Sequence, residues 1–539
     1  MPRIRVRHLA IGLTLTALAS IPVLAGTAGA GNNDSARLDR TVRFTKVLPA
    51  LIPGDKENTT VIAQNDGNAP ATIVMDVYTP QGVPIAGAQR IEANVPAGAK
   101  RNFDQSVNAG LAPGFRGVGV LSSDQPLNTL LERRLDSPNG KISESLHNAY
   151  GTGATKLALP YLANALDAQF NTRIAIANTS TQVACITLEY SFKPGLGSVP
   201  AGGKANVVDN GSGGGGCATG YPIPVNGQIA FAPTAVDGAI PYPSSTANAL
   251  FGATITSSAP VTAAADAWVS GLKSLGAYDA FVVGTGGDLG VDIVVPLGIK
   301  HGDGFLSQYI MSNPNASSAS VTITYTGNTG THVKTLTIPA NGSEDHGVYS
   351  DSVVPVGFVG AARIQSTQPI AVVAFFGKMT TANSFIPEET YALINGIPNV
   401  KATTKVKFPY VVRRGNGNSA RCDTSGDQCG FNGWQSVSVV GGGTANLTIQ
   451  VISDPTSKFP GCQGSTYSAT FTRQITDSFV FYQNLNSGAD NGLNGAPPCF
   501  DGSMIITSDK PIVAVGDFAA DPSQVGGDQD ARYDAFRSN

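Results

Sequence analysis

The sequence predicts an all-β protein built as four tandem β-sandwich units, and three observations carry that prediction. Only 14% of the 539 residues are charged, while 63 are Gly and 34 are Pro. The apolar residues fall in short runs rich in Val, Ile and Thr, which favour strands over helices, and no long amphipathic helix pattern is present. Four features recur four times in the same order, and their opening prolines, Pro49, Pro160, Pro296 and Pro409, stand 111, 136 and 113 residues apart. Such a period is close to one small sandwich of about 100 residues.

The first element is an export signal. Arg3, Arg5, Arg7 and His8 precede an apolar stretch from Leu9 to Leu24, and Ala28-Gly29-Ala30 fits a small-residue cleavage site. Residues 1–30 are therefore expected to be removed, leaving 31–40 as a flexible lead-in. Removal takes away three Arg, so 32 basic residues face 38 acidic ones, a net charge of −6. A chain of that sign has no electrostatic footprint for nucleic acid. No second stretch is apolar for long enough to span a bilayer, so the mature chain is expected to lack a transmembrane segment and to be secreted and associated with the cell surface.

The four units are expected at 41–150, 151–281, 282–400 and 401–539. Each opens with an apolar strand interrupted by Pro, which cannot donate to a ladder and so should mark a first or edge strand. A strictly alternating strand follows: Ile73, Met75 and Val77; Ile186, Leu188 and Tyr190; Val321, Ile323 and Tyr325; Leu447, Ile449 and Val451. Period two means one buried and one wet face. Next, an aromatic and a Gly lead into a strand that stops before Pro126, Pro260, Pro369 or Pro511, after which another apolar strand begins, as in a hairpin. Last comes a Tyr: Tyr150, Tyr278, Tyr391 and Tyr533.

This order resembles the tandem immunoglobulin-like repeats of secreted bacterial surface proteins of the S-layer, sheath and fibre kind. The matching pieces are "FNTRIAIANTS" at Phe170 to Ser180, "IPANGS" at Ile338 to Ser343, "VPAGA" at Val95 to Ala99 and "GFVGAA" at Gly357 to Ala362. The resemblance implies four immunoglobulin-like sandwiches in an elongated array with a structural or adhesive role, and it carries over no catalytic residue.

Six Cys in an exported chain are expected to pair. The distances within the repeats lengthen where cysteines occur, because a long polar loop buries little and needs a tether. The expected pairs are Cys185 with Cys217, Cys422 with Cys429, and Cys462 with Cys499.

Catalytic constellations are missing. His147, His301, His332 and His346 have no nucleophile motif beside them, and Glu388 and Glu389 are neighbours on an extended chain whose side chains point apart. No enzyme activity and no cofactor are expected. Calcium is the one ion the Gly-rich loops would suit, through Asp490, Asn491 and Asn494, or through Asp288, Asp292, Asp528, Asp530 and Asp534. None of these fits a twelve-residue calcium loop, and ordinary polar turns are the plainer reading. Trp268 and Trp434 both lie in strand-like stretches and are expected to pack in cores.

The expected function is thus a secreted, non-enzymatic structural protein that builds or decorates an extracellular layer, sheath or fibre. The alternative is an adhesin or carbohydrate-binding protein using loops of the second and fourth repeats. Its partners would be further copies of itself, other surface proteins or glycans. The phrase "YDAF" marks the joint after the second repeat, Tyr278 to Phe281, and closes the chain as Tyr533 to Phe536. Those aromatics either pack on their own repeat or dock on the first repeat of another molecule.

Overall fold

A hydrophobic residue every second position is the pattern of a half-buried strand, and the four alternating stretches form such strands in the computed structural model. Ala71–Tyr78, Ala184–Phe192, Ala319–Gly327 and Thr444–Ser453 each bury alternate side chains. The structure describes residues 42–46, 56–112, 114–136, 142–149, 153–166, 170–192, 206–235, 238–269, 275–302, 305–378, 391–413, 431–483, 496–497, 499–520 and 530–537. All lie in one compact unit, Leu38–Asn539. Strands and short 3-10 turns are the regular elements of the described residues. The expected signal segment, 1–30, and lead-in, 31–40, lie outside them.

The first segment shows the plan most openly, as two four-stranded antiparallel sheets. One runs in the order Val42–Lys46, Gly117–Ser123, Ala71–Tyr78, Arg90–Val95; the other runs Lys100–Asp104, Lys56–Asn65, Leu127–Asp136, Ile142–Asn148. Val61, Ala63, Ile73, Met75, Phe103, Leu121 and Leu131 meet between them. The later segments hold one connected sheet each, of ten, eight and eight strands, within residues 154–282, 290–398 and 403–537.

Those sheets are connected because the expected hairpin is absent from them. Ala249–Val269, Phe358–Lys378 and Phe500–Ala520 are single strands of 21 residues that pass straight through Pro260, Pro369 and Pro511. Before the Pro, each strand pairs with the alternating strand of its segment; after it, each pairs with strands of the other face. In the first segment the same passage breaks into two strands at Pro126, each in its own sheet. A residue without an N–H suits the corner at which a strand changes sheets, since no ladder bond is lost there. The freed Pro carbonyls accept from neighbouring turns: Asp66 N donates to Pro126 O at 2.7 Å, Thr179 N to Pro260 O at 3.1 Å and Val440 N to Pro511 O at 2.9 Å.

Of the two positions expected for the opening prolines, a first or an edge strand, the structure shows the first. Pro160, Pro296 and Pro409 lie in the first strand of their segments, yet each strand is paired on both sides of the Pro. The ladders skip register at Leu159/Leu162, Val295/Gly298 and Phe408/Val411, so each Pro falls in a β-bulge where its missing N–H costs nothing. Turn chemistry follows the sequence more directly. In "PANG", Gly342 N donates to Pro339 O at 3.2 Å and Asn341 takes φ +48°, a left-handed conformation that Asn tolerates.

Cys185 and Cys217 form a disulfide, as do Cys462 and Cys499. The third expected pair, Cys422 and Cys429, lies outside the described residues. Among the described residues no helix is long and apolar enough to cross a membrane.

Candidate functional site

The last strand of each segment reaches the same place. Ile142–Asn148, Leu275–Asp279, Tyr391–Asn395 and Asp530–Asp534 pack against one another in cyclic order, the first on the second, the second on the third, the third on the fourth, and the fourth back on the first. An elongated array would leave the first and fourth segments apart. Here they touch, and this corrects the end-to-end arrangement expected from sequence.

Four equivalent hydrogen bonds set the register at the hub. Ala149 N donates to Thr129 O at 2.8 Å, Ala280 N to Ala263 O at 2.9 Å, Gly396 N to Val372 O at 2.7 Å and Ala535 N to Ala514 O at 3.0 Å. The residues just before these donors, Asn148, Asp279, Asn395 and Asp534, are therefore one position seen four times, alternating amide and carboxylate. Their ladder partners Leu130, Ala264, Val373 and Val515 are equivalent too.

That register corrects the alignment of the four tyrosines. Tyr278 and Tyr533 are equivalent, one residue before Asp279 and Asp534. Tyr391 lies four residues before Asn395, and Tyr150 follows Ala149 as Phe281 follows Ala280; Tyr150 itself is outside the described residues. Sequence comparison matched residue types, whereas the ladders match hydrogen bonds.

Tyr278 and Tyr533 do the same work in their own segments. The Tyr278 hydroxyl donates to Tyr161 O at 2.7 Å, and the Tyr533 hydroxyl to Tyr410 O at 2.5 Å, so each ties its closing strand to the bulge after the opening Pro. Phe281, 1% exposed, ladders with Ala158, and Phe536 with Lys407. Tyr391 instead crosses between segments: its hydroxyl meets that of Tyr161 at 2.6 Å and its ring stacks on Phe170. Among these aromatics, packing on the parent repeat is the rule. Docking at the end of the chain does occur, but onto the first segment of the same chain.

Between segments, the hub is polar. Asn148 N donates to Asp279 Oδ2 at 2.9 Å and His147 Nδ1 meets Asp279 Oδ1 at 3.1 Å. Asn148 Nδ2 donates to Asp534 O at 2.9 Å, and Asn395 Nδ2 makes the matching bond to Asp279 O at 2.8 Å. Burial pushes the Asp279 carboxyl up, only partly offset by His147. Burial lowers the imidazole of His147, but Asp279 beside it more than compensates and holds it above its ordinary value. Burial, then the neighbouring Asp279, lifts Asp534 well above the carboxylate range.

The seam joining the fourth segment to the first is the most highly charged contact. Lys100 Nζ lies 2.5 Å from Asp501 Oδ1 with both side chains fully buried, beneath the Tyr410 ring. Lys458 pairs with Glu132 and Lys407 with Asp66. Burial raises the Asp501 carboxyl, and it lowers the Lys407 ammonium to about 8 in spite of Asp66. Ser503 Oγ donates to Gly98 O at 2.6 Å, and Ile62, Leu130 and Leu146 join the apolar core of the fourth segment. The other contacts rest more on apolar packing: Leu135 against Trp268 and Leu275, Leu306 and Val373 in the second segment's core, and Val513 and Val515 in the third's.

The remaining sequence candidates are dispersed. Asp288 pairs with Lys401, and Asp292 with Arg363 at 2.6 Å. His346 Nε2 contacts Asp351 Oδ2 at 2.9 Å, and burial holds the imidazole below its ordinary value. Asp490, Asn491 and Asn494 lie outside the described residues, as do Glu388 and Glu389. Trp268 is buried as expected and Trp434 is partly buried. Among the described residues no group of three or more His, Cys, Asp or Glu side chains could hold a metal. Between the third and fourth segments lie two adjoining hollows of about 240 and 370 Å³, lined by Thr324, Thr326, Asn328, Asp477 and Ser478.

No family model matches this chain, and no curated protein matches it. Among solved structures it is similar to a tetra-tandem repeat in the extending region of a large adhesion protein, at 12% identity. The match covers 89% of this chain and 95% of that one with a TM-score of 0.09, too low to carry any inference.

Sequence reasoning missed the hub. Its signal was present as Asn-Ala-Tyr, Asp-Ala-Phe, Asn-Gly-Ile and Asp-Ala-Phe at 148–150, 279–281, 395–397 and 534–536. Alignment on Tyr hid it.

Proposed function

We propose that this chain is a secreted, non-enzymatic structural protein that decorates an extracellular layer or cell surface as a self-closed body. The observation that supports this reading is the contact of the Asp530–Asp534 strand with Ile142–Asn148. The fourth segment meets the first within one chain, which favours a decorating unit over a head-to-tail fibre. The two disulfides fit an oxidising compartment. Light scattering on the purified chain over a wide concentration range, with electron microscopy of the native cell surface, tests it. Monomers in solution and protein at the surface are expected; open-ended filaments of the purified chain would overturn it.

A second reading, glycan binding, draws on the hollows between the third and fourth segments, where Thr324, Thr326 and Ser478 stand among apolar wall residues such as Val294, Leu297 and Val359. Hydroxyls and amides hydrogen-bond sugars well. A glycan array tests this, with binding expected to fall on changing Asn328 and Asp477 together to Ala.

A further inference from the structure

The seam between the fourth segment and the first shuts an amine and two carboxyl groups away from water together. Lys100 opens the strand Lys100–Asp104, Asp501 lies in Phe500–Ala520, and Asp454 follows directly on Thr444–Ser453. All three side chains are fully buried. Lys100 Nζ lies 2.5 Å from Asp501 Oδ1, 4.0 Å from Asp454 Oδ2 and 4.7 Å from the centre of the Tyr410 ring. The backbone ties the two acids together, since Asp454 N donates to Asp501 O at 2.7 Å, and Ser503 Oγ holds the facing chain by donating to Gly98 O at 2.6 Å.

The contacts around these three groups suit a condensation. Ser457 Oγ donates to Asp501 Oδ2 at 2.7 Å, where it stabilises the negative charge that gathers on that oxygen when the carboxyl carbon is attacked. Burial raises the Asp501 carboxyl, with Lys100 offsetting it only in part, and so favours the neutral acid over the carboxylate, which resists attack. Thr456 N and Oγ1 donate to Asp454 Oδ1 at 2.9 and 2.7 Å, and Arg101 Nη1 lies 3.6 Å from it. That leaves Oδ2, which accepts from Asn102 Nδ2 at 3.3 Å, as the oxygen nearer Lys100. Lys100 Nζ also donates to Asn102 Oδ1 at 3.4 Å. An ion pair kept here forfeits the hydration of both charges, whereas an amide is neutral.

We propose that Lys100 and Asp501 condense to an amide between Nζ and Cγ, made by the folded chain itself, which closes the fourth segment covalently onto the first. Nζ bonds to Cγ, the bond from Cγ to Oδ1 breaks, and Oδ1 leaves as water with the two protons that the ammonium gives up. Asp454 takes each proton from Nζ and passes it to Oδ1, acting as base and then as acid and ending unchanged. Nothing is oxidised or reduced, and no co-reactant is consumed. Holding amine and carboxyl in contact is equivalent to a concentration on the order of 10⁵ M or more. The other two pairs of the seam suit the step less well. The Asp66 side chain beside Lys407 is 18% exposed, and although burial lowers the Lys458 ammonium, Glu132 and Glu144 more than compensate and keep it charged. The inference rests on the contact between the fourth and first segments, not on the cell-surface reading.

The test is mass spectrometry of the purified full chain, reduced and denatured, both intact and as tryptic peptides. Wild type is expected to weigh one water less than the sequence from its own N-terminus. Trypsin, which needs a free Lys side chain, should leave the chain uncut after Lys100 and yield a branched peptide joining Lys100 to Asp501. Lys100→Arg keeps the buried positive charge and should lose both the branched peptide and the mass difference. Asp454→Asn keeps both reacting groups and should form the bond about a hundredfold more slowly, followed by mass as newly made chain folds. Wild type of full sequence mass with a free Lys100 would overturn the proposal, whether or not either variant folds. A folded Asp454→Asn that links at the wild-type rate would overturn the part given to Asp454.

Discussion

Tyr278 and Tyr533 show how much one hydroxyl can organise. Each sits almost fully buried, and burial lifts its phenol well above the ordinary value, so each stays a neutral donor at any physiological pH. Each hydroxyl serves the peptide group left exposed by a proline bulge, at Tyr161 and Tyr410. Tyr161 N also donates to the Tyr278 hydroxyl at 3.1 Å. Changing Tyr278 to Phe therefore strands two buried backbone groups, whereas Tyr533→Phe strands one. Chemical denaturation should show losses of about 2 and 1 kcal/mol respectively, since each unpaired buried group costs about 1 kcal/mol or more. Equal losses would mean that the second bond at Tyr161 contributes nothing.

At the scale of the element, the long bent strand and the tethered loop divide the work. A strand of 21 residues serves both faces of a segment because its Pro sits where the ladder changes partners, so the corner needs no loop. Loops grow elsewhere, and there the disulfides hold them. Cys185 lies in the alternating strand Ala184–Phe192, and Cys217 at the turn leading to Tyr221–Ile223, which ladders back onto it. Replacing Cys185 and Cys217 together by Ser should lower stability by about 2–4 kcal/mol. Limited proteolysis should then cut first within residues 206–220, while the hub strands stay protected.

For the molecule as a whole, the decisive contact is the seam between the fourth and first segments, which lie farthest apart in sequence. Its buried charges make closure depend on pH. Lys407 has its ammonium lowered from 10.5 to about 8, so between those values the unfolded chain carries the proton and the folded one does not. Stability from this residue must rise with pH across that window, by at most about 1.4 kcal/mol per pH unit. In urea denaturation from pH 8 to 10.5 the stability of wild type relative to Lys407→Met should rise with pH, the buried tyrosines, which lose stability as pH climbs, cancelling from that difference. A variant with the wild-type slope would assign the effect to other groups.

The sequence by itself determined the class of this protein and its periodicity. Alternating apolar residues dictate half-buried strands wherever they occur, the Pro-Ala-Asn-Gly stretch dictates a turn, and cysteine placement pointed to Cys185–Cys217 and Cys462–Cys499. These are local properties, set by the backbone and by which face is apolar. Only the tertiary structure decided that Pro260, Pro369 and Pro511 bend strands instead of ending them, because that depends on which sheets compete for the N–H groups on either side. Tertiary structure alone also decided that Asn148, Asp279, Asn395 and Asp534 meet. They come from points hundreds of residues apart and share no residue type beyond a short polar side chain. Their common position is defined by one backbone hydrogen bond in each segment, and the short Asn/Asp-Ala/Gly signature around it is too slight to fix the register without the ladders.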